Sequence, residues 1–377
     1  MASAIFCIVP ILFSLLLLPC EAHVIIHPFE YIYQLGDSLA DTGNLICQSA
    51  TTGKTPAAAH LPYGESFRGG PTGRCSNGLL IIDFVAIALS LPLLNPYLDS
   101  NATFDHGANF AVAGSTALDY TFFTTKGVYN PSTNISLGDQ LNWFKSHLNT
   151  ICLTPAECKE VLSKALVFVG EIGGNDVNHP LIQGKSIQEI YTYLPYTIEA
   201  ITNAIRVSFY MIIIKEVIHL GAVNIVVPGN VPIGCLPVGL TVVSGGNETA
   251  YDDMGCSKEL NELALVQNNY LQESLSLLRQ EFSHADIIYA DYYTAYKTIL
   301  YGAADFGFDE KSLLKSCCGI GGLYNYDHNR ECGSRGVPVC RNPTQYISWD
   351  GIHLTQEAYR HITEILLPDI LPGIRYI

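Results

Sequence analysis

Tyr31-Ile32-Tyr33-Gln34-Leu35 runs straight into Gly36-Asp37-Ser38-Leu39-Ala40-Asp41-Thr42-Gly43-Asn44, and the reading of the chain turns on this junction. The first five residues are aromatic, β-branched or aliphatic apart from Gln34 and predict a strand. Gly, Asp and Asn, the residues of tight turns, crowd the next nine. A serine therefore stands at the carboxyl end of a strand, where open α/β sheets place their chemistry.

Further along, short β-rich runs recur at Ala165–Val169 before Gly170, at residues 224–227 before Pro228 and at residues 287–290 before Asp291. They lack polar alternation, as parallel strands buried on both faces do. Helical stretches separate them. The longest predicted helix covers residues 196–220, opened further back by the capping-box pattern Ser186-Ile187-Gln188-Glu189 and closed by Gly221, just ahead of the next strand. Leu260, Leu263, Leu271 and Leu278 recur at helical spacing as a core-facing stripe. Helix feeding strand in this way predicts the α/β class, a three-layer α/β/α sandwich around a mostly parallel sheet. No linker-like shift in composition, low-complexity run or internal repeat divides residues 23–377, so one domain is expected.

Residues 2–20 carry no charge and hold the apolar run 11–18, after which Cys20-Glu21-Ala22 offers small residues to a signal peptidase. Residues 1–22 thus read as a secretory signal peptide, with Pro10 and Pro19 interrupting the stretch and speaking against an uncleaved anchor. Residues 207–214, bounded by Arg206 and Lys215, are too short to span a bilayer and read as a buried helix. Of twelve cysteines, removal of Cys7 and Cys20 leaves ten, an even number that favours disulfides in a secreted chain. A metal site is not expected, because there is no Cys-x-x-Cys pair and the adjacent Cys317-Cys318 is poor ligand spacing. Three sequons predict glycosylation at Asn101, Asn134 and Asn247, whereas Pro343 excludes Asn342. A formal charge of −15 argues against nucleic acid and anionic membrane surfaces as partners.

Serine needs a base within hydrogen-bond reach, and the base needs an orienting partner. Asp350-Gly351-Ile352-His353 supplies both at a three-residue spacing that lets the carboxylate meet one ring nitrogen while the other faces Ser38. Thr355 is then placed to cap a final helix whose apolar face includes Ala358, Ile362, Ile365 and Leu366. Two glycine-rich stretches, residues 107–116 and 170–177, lie between serine and histidine. The second carries Asn175, an amide on a tight turn suited to stabilising an oxyanion. Neither stretch has the Gly spacing of a nucleotide site. Asp37 and Asp41 are read as turn residues that accept local backbone N–H groups instead of a paired-carboxylate glycosidase site, and Asn44 as a brace of the same turn. His60, His106, His179, His219, His328 and His361 have no partner pattern and read as surface or satisfied polar residues.

These blocks, with Tyr63-Gly64-Glu65, Gly73-Arg74-Cys75-Ser76-Asn77-Gly78, Cys317-Cys318-Gly319 and Cys340-Arg341-Asn342-Pro343 in order between them, resemble the GDSL esterase/lipase family, the plant branch of the SGNH hydrolases. The resemblance covers nearly the whole mature chain. It implies a flavodoxin-like SGNH hydrolase fold with a five-stranded sheet and a carboxylic-ester hydrolase that needs no cofactor. By the same resemblance Ser38, Asp350 and His353 are catalytic, and Ser38, Gly114 and Asn175 form the oxyanion hole. The opening of the mature chain and residues 73–78 are similar to the branch of acetylajmalan and sinapine esterases, implying a small soluble ester as the partner molecule. The location implied is the apoplast or the vacuole. An alternative keeps the site and passes the acyl group to an alcohol, as an acyltransferase. Activity is expected to follow neutral His353, near its reference pKa of about 6.5.

Overall fold

The computed structural model describes residues 29–53, 55–205, 221–245 and 247–372. The expected signal peptide, the helix expected at 207–214 and His219 lie outside these residues. No helix among the described residues is long and apolar enough to cross a membrane.

Five strands, β1 (Tyr31–Leu35), β2 (Gly107–Asn109), β3 (Ala165–Val169), β4 (Asn224–Pro228) and β5 (Asp286–Ala290), form one sheet in the order β2-β1-β3-β4-β5. Every pairing is parallel, so the expected mostly parallel sheet is wholly parallel. The order is the flavodoxin-like one. It reverses direction beside β1, and the crevice outside the carboxyl ends of β1 and β3 is the place where such sheets bind ligands.

Alternate residues of each strand enter separate cores, which makes the architecture three-layered. Leu166 and Phe168 of β3 face one core with α2 (Ile81–Ala88), α6 (Gly174–Ile182), α11 (Tyr292–Tyr301) and α12 (Gln356–Ile370). Ala165, Val167 and Val169 face the other, with α4 (Leu137–Ile151), α5 (Pro155–Ser163) and α8 (Leu194–Ile205). The long helix α10 (Lys258–Glu281) serves both: Leu260 and Leu263 enter the first core, Leu271 and Leu278 the second. Each such leucine, fully buried, contributes about 1.5–3 kcal/mol. The remaining helices, α1 (Asn44–Thr52), α3 (Tyr120–Thr125), α7 (Ile187–Tyr191) and α9 (Pro237–Val242), are short.

The helix expected over residues 196–220 differs at its start. Ser186 accepts the Glu189 N–H as the capping pattern requires, but it caps the separate short helix α7. A new helix, α8, begins at Leu194. Pro195 explains the restart, since proline has no N–H to give and belongs in a first turn. Thr355 caps α12 by accepting the Ala358 N–H, and Ala358, Ile362 and Leu366 are buried, with Ile365 partly so.

Four disulfides join Cys152 to Cys158, Cys235 to Cys256, Cys317 to Cys340 and Cys318 to Cys332. The even count does not carry through to five disulfides: among the described residues Cys47 and Cys75 are unpaired. Cys75 packs as a small apolar residue in a third cluster with Tyr63 and Trp349, and burial pushes its thiol well up. Asn101, Asn134 and Asn247 are all exposed.

Candidate active site

The turn after β1 is held from three sides. Gln140, fully buried on α4, accepts the Gly36 N–H and donates to the Gly36 carbonyl, each at 2.8 Å. Gly36 must be glycine, because a Cβ there would lie 2.9 Å from the Glu171 carbonyl oxygen. Asp37 donates its N–H to that same oxygen at 3.1 Å. Asp41 accepts the N–H groups of Gly43, Asn44, Leu45 and Ala113 at 2.7–3.1 Å, the local role read for it. Asn44 donates to the carbonyls of Asn109 and Ala111, fastening the turn to the end of β2.

Ser38 so held faces the loop ahead of α12. Its Oγ lies 2.8 Å from His353 Nε2, and His353 Nδ1 lies 2.7 Å from Asp350 Oδ2. Gly351 has φ +100°, and a Cβ there would strike the Tyr326 ring at 2.2 Å, so the turn between Asp350 and His353 depends on glycine. Asp350 is buried but well supplied with donors. The N–H groups of Ile352 and His353 reach Oδ1 at 3.0 and 2.8 Å, and Tyr63 donates its hydroxyl to Oδ2 at 2.8 Å. Burial alone raises a carboxyl pKa, but the charge and hydrogen bond of His353 and these N–H groups outweigh it and hold Asp350 down at about 2. Burial lowers that of His353, while the Asp350 charge and hydrogen bond, with Asp37 beyond, outweigh it and raise the imidazole above its ordinary value.

On the other side of Ser38 lie the two glycine stretches. Gly114 has φ +86°, and its carbonyl accepts from Asn130 Nδ2 at 2.7 Å and from His179 Nε2 at 3.2 Å. The N–H groups of Ala113 and Ser115 are engaged by Asp41 and Val112, whereas those of Gly114 and Ser38 have no hydrogen-bond partner among the described residues. Asn175 differs. Its amide donates both hydrogens, to Asp37 Oδ2 at 2.9 Å and to the Ser115 carbonyl at 3.0 Å.

Ser38, His353 and Asp350 thus meet as the sequence spacing predicts, and Gly114 and Asn175 stand beside the Ser38 turn. Sequence reasoning missed Tyr63, Gln140, Glu171, Asn130 and His179. Tyr63 lies in a block quoted only for its order, and His179, read as bland, holds Gly114. The arrangement has the parts of acyl transfer: a serine hydroxyl against an imidazole, the imidazole against a carboxylate, and unengaged N–H groups beside the serine.

Residues 32–366 match the GDSL-like lipase/acylhydrolase family. Acetylajmalan esterase of Rauvolfia serpentina is 50% identical over 97% of this chain and 92% of its own. Acetylajmalan esterase 2 of the same plant is 48% identical, covering 97% of both. A GDSL esterase/lipase of Arabidopsis thaliana is 42% identical over 97% of this chain and 89% of its own. The solved phospholipase A1 of Streptomyces albidoflavus NA297 aligns with a TM-score of 0.34 and 13% identity over 80% of this chain and 92% of that one, a likeness too slight to bear on fold or substrate. With a family match across most of the sequence and relatives near half identity over almost all of it, the chain belongs to the GDSL-like lipase/acylhydrolase family and is a carboxylic-ester hydrolase.

Proposed function

We propose that the protein is a secreted esterase that removes a short acyl group from a small soluble ester of a specialised metabolite through an acyl-Ser38 intermediate. The observation that carries the mechanism is the continuous line from Ser38 Oγ to His353 Nε2 at 2.8 Å and from His353 Nδ1 to Asp350 at 2.7 Å. His353 takes the Ser38 proton as the oxygen attacks the ester carbonyl, and Asp350 holds the imidazole in the working tautomer and balances the imidazolium. The N–H groups of Ser38 and Gly114 receive the charge that develops on the carbonyl oxygen, joined by Asn175 once its amide is freed. His353 then returns the proton to the leaving alcohol. A water molecule, deprotonated by His353, attacks the acyl-Ser38 carbonyl, and as the bond to Ser38 Oγ breaks His353 returns that proton to Oγ and the acid is released.

The preference for an acetyl-sized group is supported by the relatives named acetylajmalan esterase at about 50% identity. Secretion is supported by the uncharged apolar residues 2–20, four disulfides and three exposed sequon asparagines, and implies removal of residues 1–22 and glycosylation at Asn101, Asn134 and Asn247.

Turnover of p-nitrophenyl acetate and p-nitrophenyl palmitate by the purified protein, with product analysis in the presence of an added alcohol, tests the reading. Faster release from the acetate, with free acid as the product, is expected. Equal turnover of the palmitate would overturn the short-acyl preference, and a transferred ester as the main product would replace hydrolysis by acyl transfer.

A further inference from the structure

Behind the Ser38 turn lies a group of buried acids for which the ester chemistry above has no use: Asp37 and Glu171, each 3% exposed, and Asp176, fully buried. Among the described residues they do not form a metal site. The carboxyl groups of Asp37 and Glu171 lie against each other, held by neighbouring residues: Asp37 Oδ2 takes the Asn175 amide and Glu171 Oε1 the Gly174 N–H. Two carboxylates cannot make that contact unless one of them carries a proton, because an ionised carboxylate only accepts. Asp37 is the better anion. Its Oδ1 accepts the Leu39 N–H at 2.9 Å and its Oδ2 accepts Asn175 Nδ2 at 2.9 Å, whereas Glu171 accepts one N–H, from Gly174 at 3.1 Å.

From this contact we infer that Glu171 is a positioning residue, a neutral acid that donates to Asp37 and thereby holds the Asp37 carboxylate, and through it the Asn175 amide, in place beside Ser38. One Asn175 hydrogen stays on Asp37 throughout turnover. The other leaves the Ser115 carbonyl for the developing oxyanion. The Glu171 proton itself does not move.

The electrostatics agree with this assignment. Burial, then the Asp37 charge, pushes Glu171 well above the carboxyl range, while Asp37 is raised by burial only to about 6, the Leu39 N–H, His353 and Glu171 pulling against it. The other groups that sense the pair are Asp41, Asp176, the Cys75 thiol and the phenols of Tyr292 and Tyr359.

The inference rests on the reading of Ser38 and Asn175 given above, and three variants separate its failure from a failure of that reading. Asn175→Ala should lower kcat on the acetyl ester by about 10²–10³ with KM little changed, since the oxyanion exists only beyond the ground state. Glu171→Ala should lower kcat to a similar degree, and the double variant should fall no further than either alone. Glu171→Gln should rescue most of the loss, because its amide can donate to Asp37 and accept from Gly174 without a charge. If Glu171→Gln is as damaged as Glu171→Ala, or Glu171→Ala keeps its kcat, the inference is wrong. If Asn175→Ala is harmless, the oxyanion reading fails instead.

Infrared difference spectroscopy needs no activity and covers the case in which Glu171→Ala does not fold. At a pH above the values of about 6 for Asp37 and about 7 for Asp176, wild type minus Glu171→Gln should contain the carbonyl stretch of a protonated acid. A carboxylate band in its place overturns the inference.

Discussion

On the His353 side of Ser38 the charges alternate, hydroxyl to imidazole to carboxylate; on the Asn175 side acid lies against acid, Asp37 on Glu171. Asp350 and Asp37 are equally close to the nucleophile in sequence logic, one in the expected dyad and one beside the serine, and both are buried. Yet Asp350 is held at about 2 and Asp37 is raised to about 6. The difference lies in what faces them. Asp350 receives an imidazole, a phenol and two backbone N–H groups, whereas at Asp37 burial dominates, with Asp41 adding to it and the Leu39 N–H, His353 and Glu171 pulling only partly against it. A buried carboxylate with enough donors becomes a strong, fixed anion, and a buried pair of acids must keep a proton. On the function and the inference proposed above, the first side moves a proton and the second holds one still.

The largest effects should come from the first side. Ser38→Ala should lower kcat by a factor on the order of 10⁶ and abolish burst release, since nothing else can accept the acyl group. The thermal midpoint should stay near that of wild type, because among the described residues Ser38 Oγ makes one hydrogen bond, to His353. Asp350→Asn should cost about 10⁴ in kcat, because an amide can hold His353 in the wrong tautomer. Kinetics on the same acetyl ester check both. A modest loss in either would move the proton chemistry away from this line.

The two sides also differ in how well they can be read from sequence. Asp350 and His353 are three residues apart and Ser38 follows directly on β1, so local spacing suffices to propose them. β1 and β3 match the expected limits, and β4 and β5 each differ by one residue, because buried parallel strands are short apolar runs between turn residues. β2, only three residues long and opening on Gly107, gives no such run and reads only as a glycine-rich block. Tyr63 reaches Asp350 across 287 positions and Gln140 reaches Gly36 across 104. Contacts of that separation leave no periodic or local trace. Glu171 is hidden differently: it sits inside a recognised block, but its meaning depends on Asp37 from another strand end.

Gly114 tests the rigid donor side with an intermediate effect. A Cβ at Gly114 would lie 2.7 Å from Ser132 Cβ, and the φ of +86° is strained for any L side chain. Gly114→Ala should therefore cost about 1–2 kcal/mol from the left-handed backbone, seen as a lower thermal midpoint. It should also cut kcat by about 10²–10³ if the N–H is displaced, with KM nearly unchanged. Adding Ser132→Gly removes the contact but not the backbone strain. Recovery of kcat in the double variant would identify the collision, and not φ, as the cause.

The smallest effect is the sharpest probe of the contrast between the two carboxylates. Tyr63→Phe removes one donor from Asp350 Oδ2 while keeping the ring, which stacks edge-on against Trp349 at 6.1 Å. A hydrogen bond to a charged group contributes about 1.5–3 kcal/mol, but three donors remain on Asp350, so a fall of about tenfold in kcat is expected. The pH profile is more telling. His353 must be neutral to take the Ser38 proton, and its pKa is raised, so activity in the wild type should rise with pH through a midpoint above the reference value of about 6.5. Without Tyr63 the Asp350 carboxylate is less satisfied and stabilises the imidazolium more, which raises the His353 pKa again. The acid limb of kcat/KM should therefore move to higher pH in Tyr63→Phe, and a limb that stays in place while kcat falls would reduce Tyr63 to a packing residue.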